Sequence, residues 1–268
     1  MGHTRLGQLP KTQKWNEVVE QIMGAGLAGR FVGPEFYIDA IAAETLEASQ
    51  QSLARAARDS GVAYTFYLLT QIAQASRSKY WERDLARLGI HLTSDSTVFD
   101  LTAEVQSAVD RHSRNRSAGA TDLSEIAQQS AGEALASLAG SQKVGLFDVG
   151  VDEVRNVVRS LSTRKGFGEL GQYFFGRFVA RFLNSYLSRA TAQAVGSPRI
   201  SDLGDITQFN DALLTHCVQS ARIVRDFCGD WYSKTAYQEG INLQNTSRFL
   251  AIAVRKLRAE LKQQGSEL

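Results

Sequence analysis

The stretch Gln172–Ala190, QYFFGRFVARFLNSYLSRA, decides the fold. Placed on a helix at about 100° per residue, Phe174, Phe175, Phe178, Val179, Phe182, Leu183, Tyr186 and Leu187 cover an arc of roughly 220°. Opposite them runs a narrow stripe of Arg177, Arg181, Asn184 and Ser188. A helix apolar over so much of its girth needs cover on several sides. It is the central helix of a bundle, or it packs on a second chain, with Phe174 and Phe178 as partner contacts. A membrane surface is the weakest of the choices, because interfacial helices carry broader charged faces.

The arginine stripe needs acceptors, since a buried guanidinium is stable only when paired. Segment 121–150 carries net −3, segment 151–200 carries net +5, and the rest of the chain balances. Asp and Glu from the acidic segment can therefore meet the stripe and tie the two halves together. Alternatively, Arg155, Arg159, Arg164, Lys165, Arg177 and Arg181 form one basic surface for nucleic-acid phosphates. Most of the aromatic rings point away from those arginines, whereas single-strand binding wants rings and cations on one face.

Outward from this helix the punctuation is helical throughout. Trp15–Met23 has a short apolar face, and a glycine-rich passage leads to Pro34 as a first helical position, followed by an Ala-rich run through Ala57. Val62–Ala75 is strand-like at VAYTFYLL and helical at LLTQIAQAS, and with no partner strand in sight it is read as helix. Asp100–His112 is amphipathic, and Asp122 with Glu125 suggests a helix start. Further helices are expected over Val151–Leu161, Glu169–Ala194, Thr207–Phe227 and Thr246–Gln263. The expected fold is all-α: a bundle of about eight to ten helices, in one body or in two lobes. The boundaries are an arm at 1–14, a lobe at 15–112, a polar linker at 113–121 (SRNRSAGAT) and a lobe at 122–268, the two lobes being separate or one continuous domain.

Two stretches match GxGxxG: Gly24, Gly26, Gly29, and Gly166, Gly168, Gly171. That fingerprint cradles a pyrophosphate only where a strand enters and a helix leaves. Helical sequence enters both, so neither is read as a dinucleotide site. A smaller anion site survives at Gly166 and Gly168, where N–H groups opening the 169–194 helix lie beside Arg164 and Lys165. The four histidines show no metal-ligand spacing, and no nucleophile elbow or Walker sequence occurs. No metal and no cofactor are expected, and catalysis is disfavoured.

Cys217 and Cys228 lie eleven residues apart, about 16 Å along one helix, so within the roughly 7 Å that a disulfide allows they can pair only if that helix is broken. They read as small core residues in a reducing cytoplasm. No apolar run is long enough to span a bilayer, and the N-terminus lacks a signal-peptide core. With 30 basic and 28 acidic residues in 268, overall charge names no partner. The arm carries Arg5, Leu6, Leu9 and Lys11 with no acid, and it reads as an extended segment docking on a neighbour from a base at Trp15.

The function expected from these features is a non-catalytic interaction or scaffold subunit of a cytoplasmic, bacterial multi-protein assembly. It would work through a protein partner or through self-association. The alternative is a nucleic-acid-binding helical protein using the basic 155–181 segment, as an accessory component of a phage-defence-type system.

Overall fold

The computed structural model describes residues 13–24, 37–115, 121–141 and 150–264. These form twelve helices and no strand, so the fold is all-α with slightly more helices than expected. In chain order they are α1 (Gln13–Met23), α2 (Ile38–Ala48), α3 (Gln50–Ala56), α4 (Ser60–Ala75), α5 (Trp81–Arg87) and α6 (Val98–Arg114). The second half holds α7 (Asp122–Ser141), α8 (Val151–Leu161), α9 (Arg164–Gln193), α10 (Leu203–Ser220), α11 (Arg222–Gln238) and α12 (Leu243–Gln264). No described helix is long and apolar enough to cross a membrane.

The extra helices come from two breaks that no glycine or proline marks. At Ser49 the hydroxyl donates back to the Thr45 carbonyl (2.7 Å), which loosens the turn between α2 and α3. At Ala221 the expected Thr207–Phe227 rod splits into α10 and α11. The break lets both pieces lie along α9, which is the axis of the bundle and packs against α7, α10 and α11. Phe174, Phe175, Phe178, Phe182, Leu183 and Leu187 are fully buried there. Buried residues from Trp15 to Leu261 make one contiguous core, shared by the described parts of 15–112 and 122–268.

α9 begins at Arg164 rather than Glu169, because Thr163 caps it: the Thr163 hydroxyl accepts from Gly166 N at 3.0 Å. Gly166, Gly168 and Gly171 therefore lie inside a helix, and each faces something a Cβ would strike. At Gly166 it is the Ser160 carbonyl, at Gly168 the Arg225 carbonyl oxygen (2.7 Å from an added Cβ) and at Gly171 the Cys228 side chain. Gly176 continues the series against the Val218 Cα at 2.6 Å. The glycine spacing is thus the signature of close helix crossings. Cys217 and Cys228 sit on different helices, both free and buried, and burial pushes both thiols far above the usual range.

α7 starts at Asp122, but the residue that caps it lies one position earlier. Thr121 is the cap, its hydroxyl accepting from Ser124 N (3.0 Å) while donating to Asp59 Oδ2 (2.8 Å). Asp59 Oδ1 accepts from Gly61 N and Val62 N at 2.8 and 3.0 Å and so caps α4. One carboxylate thus joins the N-termini of α4 and α7. Of the 113–121 segment, 116–120 lie outside the described residues, as do Gly26 and Gly29 of the first glycine match. Gly24 ends α1 with φ 68°, and Arg199 donates to the Gln21 carbonyl there (2.6 Å).

Candidate functional site

The cations of the 151–200 segment divide between two places. Arg177 and Arg181 turn to α7, where Arg181 pairs with Glu133 and donates to Gln129 Oε1 at 2.8 Å. Arg177 lies 3.5 Å from the same carboxylate and donates to Ser137 Oγ at 2.7 Å. Burial pulls the Arg177 pKa down, and Glu133 opposes that shift. The acidic segment meets the stripe, through Glu133.

Arg155, Arg159, Arg164 and Lys165 gather instead at the junction of α8 and α9, against the C-terminal end of α4. Arg155 collects carbonyls left open as α4 ends, donating to Ser76 O (3.2 Å) and Ser78 O (2.8 Å). Its guanidinium also lies 5.8 Å from the Trp81 ring centre. Arg159, one turn further along α8, is exposed. Arg77 reaches across from the end of α4, donating to Ser162 Oγ at 2.9 Å and to the Ser162 carbonyl. Beyond it, Lys79 and Arg83 flank the exposed Tyr80, with the Arg83 guanidinium 4.5 Å from the ring centre.

A cleft of about 390 Å³ opens beside this junction, lined by Gln74, Arg77, Ser162, Arg164, Tyr232 and Tyr237 among others. Tyr237 is 91% exposed, whereas burial raises the Tyr232 hydroxyl to about 12. Arg164 also borders a second hollow of about 240 Å³ with Lys165, Gly168, Arg225 and Asp226. Acids temper the charge: Asp230 pairs with Arg164 at 2.5 Å and Glu169 with Arg225 at 3.1 Å. Arg77, Lys79, Arg83, Arg159, Arg164 and Lys165 are exposed on these helices and their ends, together with the acids Glu82, Asp152 and Glu153. A cleft lined by charges of one sign focuses the field within it. Sequence reading missed Arg77, Lys79, Arg83, Arg225 and Tyr237, because the first three depend on the contact of α4 with α8, and the last two on the packing of α11 against α9.

The remaining site residues fall elsewhere. Gly166 packs against Ser160, and its N–H is already taken by Thr163; Gly168 packs against the Arg225 carbonyl while still bordering the smaller hollow with Arg164 and Lys165. Phe174 and Phe178 take their contacts from this chain's own core. Trp15 is buried on α1, and Arg5, Leu6, Leu9 and Lys11 lie outside the described residues. Among the described residues no group of three or more His, Cys, Asp or Glu is placed to hold a metal ion.

A second cleft, about 810 Å³, lies between α2, α10, α11 and α12. His216 lines it, only 8% exposed, with Nδ1 3.0 Å from Asp39 Oδ1 and its buried Nε2 without a partner. Glu260 and Arg222 line the same cleft. Burial holds the His216 pKa below its ordinary 6.5, with Asp39 pulling the other way. The folded ring is neutral and donates Nδ1–H to Asp39, since a protonated Nε2 would be a buried donor with no acceptor. A histidine depressed in the fold gives stability that is complete above the unfolded pKa and is lost as pH falls below about 6.5. Urea midpoints should therefore drop between pH 7.5 and 5.5 (both values set about the 6.5 reference), and less steeply in His216→Gln. Equal slopes in the two proteins would refute this assignment.

Compared with family models, with curated proteins and with solved structures, the chain matches none.

Proposed function

We propose that this protein works by contact rather than by catalysis, as a helical interaction subunit that holds the phosphate backbone of a nucleic acid on its basic end. The observation that carries the reading is that Arg77 and Arg164, from two separate helix ends, line one cleft, while Arg164 is shared with an adjoining hollow bordered by Lys165 and Arg225. The glycine series supports it from the other side: the residues best suited to a nucleotide cradle are engaged in helix packing. The wider setting in this reading is cytoplasmic, with the protein as an accessory member of a multi-protein assembly such as a phage-defence system.

Fluorescence anisotropy with labelled DNA and RNA, repeated over a salt series, tests it. Affinity should fall as salt rises, by close to one power of salt concentration for each phosphate contact. Arg159→Glu with Lys165→Glu should weaken binding by about tenfold or more and flatten the slope by roughly two contacts. Failure of the wild type to bind either polymer rejects the reading.

A second reading is a scaffold acting through protein partners or self-association, for which Leu203, 73% exposed at the start of α10, and the exposed Phe99 and Ile223 are the candidate contacts. Native mass spectrometry of the purified protein separates the two. A stable oligomer or copurifying protein without nucleic acid supports the scaffold.

A further inference from the structure

We infer that the cleft between α4, α9 and α11 is built for a single strand rather than a duplex: Tyr237 stacks a base, and Arg77 and Arg164 take the adjoining phosphate. The inference rests on the nucleic-acid reading above and adds the form of the ligand. Among the described residues most large aromatic rings are buried or half-buried; Tyr80, Phe99 and Tyr237 are exposed, and of these Tyr237, at 91%, borders a cleft that holds two guanidinium groups. A ring so placed offers its face to an unstacked base, which a strand presents and a duplex does not.

The cations are positioned for the neighbouring phosphate. Arg77 is oriented by Ser162, which engages two of its five N–H donors and leaves the others for a ligand. Arg164 stands at the first turn of α9, the positive pole of a 30-residue helix, and its ion pair with Asp230 is exposed to solvent on both sides. A phosphate arriving there exchanges one exposed ion pair for another. Gln74 and Ser233, which also line the cleft, supply neutral hydrogen-bonding groups.

The arrangement differs from a general basic surface in one testable respect. Charge attracts both forms of nucleic acid, whereas a stacking ring favours only the strand. The probes are a labelled strand of about 15 nucleotides, near the upper end of site sizes for single-strand modules, and the same strand annealed to its complement. Tyr237→Ala should weaken strand binding by about 5- to 100-fold and leave duplex binding unchanged, while Tyr237→Phe keeps strand affinity. Asp230→Asn, which frees Arg164, should strengthen binding of both. Tyr237 is exposed and lies outside the core, so the alanine variant should keep its fold, which an unchanged melting curve checks. If Tyr237→Ala binds the strand as wild type does, or loses strand and duplex equally, the single-strand inference is overturned while the nucleic-acid reading stands. If the wild type binds neither probe, both fall.

Discussion

Phe66→Ala is expected to destabilise the fold by about 3–5 kcal/mol, measured by urea or guanidinium unfolding. Phe66 sits on α4 with no solvent exposure, at the meeting point of three other helices. Its ring centre lies 5.2 Å from Phe174, 5.3 Å from Phe175, 5.5 Å from Phe249, 5.9 Å from Phe167 and 6.2 Å from Trp231. The loss comprises the transfer term for a large apolar side chain and the cavity left behind. Aromatic pairs add about 0.5–1.5 kcal/mol each beyond burial, though pairs sharing one ring do not add independently. Collapse into the cavity is hindered because α9, which supplies three of the five rings, is held by its glycines against α10 and α11. A loss under about 1 kcal/mol would mean that the core repacks freely, contrary to a close-packed aromatic hub.

The same hub shows what a linear reading reaches. The arc over Phe174–Leu187 needs only local periodicity; it left a choice between a bundle's central helix and a face on a second chain, and the packing of α9 among this chain's own helices fits the first. The helical reading of Val62–Ala75 held for a related reason: LLTQIAQAS keeps a helical pattern, and Phe66, Leu69 and Ile72 all turn to the core. The attraction between the acidic 121–150 segment and the arginine stripe was also legible, because the two segments carry opposite net charge. The particular acceptor, Glu133, required the crossing angle.

What stayed hidden depends on contacts distant in sequence. Neither Ser49 nor Ala221 is a helix breaker by composition, and the bend at Ala221 follows from packing both Cys217 and Cys228 against α9. Thr163 and Thr121 are ordinary cap residues whose role shows once the following N–H groups point at them. The basic end was half visible. Arg159, Arg164 and Lys165 are close in sequence, but Arg77 joins them only through a hydrogen bond spanning 85 positions. Tyr237, on the last turn of α11, carries no signal except that its ring is left in water.

Gly229→Ala gives the sharpest test of the close crossing, because the sign of its effect is at stake. In an isolated helix, alanine in place of glycine gains about 1 kcal/mol from backbone entropy. Gly229 lies on α11 where it meets the first turn of α9. An added Cβ would press into the Arg164 carbonyl oxygen and come within 3.1 Å of its carbon. Both are backbone atoms, so relief requires the two helices to separate, and Gly168 opposes the Arg225 carbonyl nearby. Overpacking of this kind typically loses about 1–3 kcal/mol, enough to reverse the intrinsic gain. Gly132→Ala on α7 is the matched control: its nearest neighbours are the Gln106 Nε2 and Thr102 Cβ, both at 3.7 Å, which is ordinary contact. That substitution should stabilise by about 0.5–1 kcal/mol. Separation of α9 from α11 would also shift Arg164 relative to Tyr237, so Gly229→Ala should weaken strand binding, whereas Gly132→Ala should not. Unfolding midpoints that move in the same direction for both variants would show that the glycines of α9 and α11 are not holding the helices together.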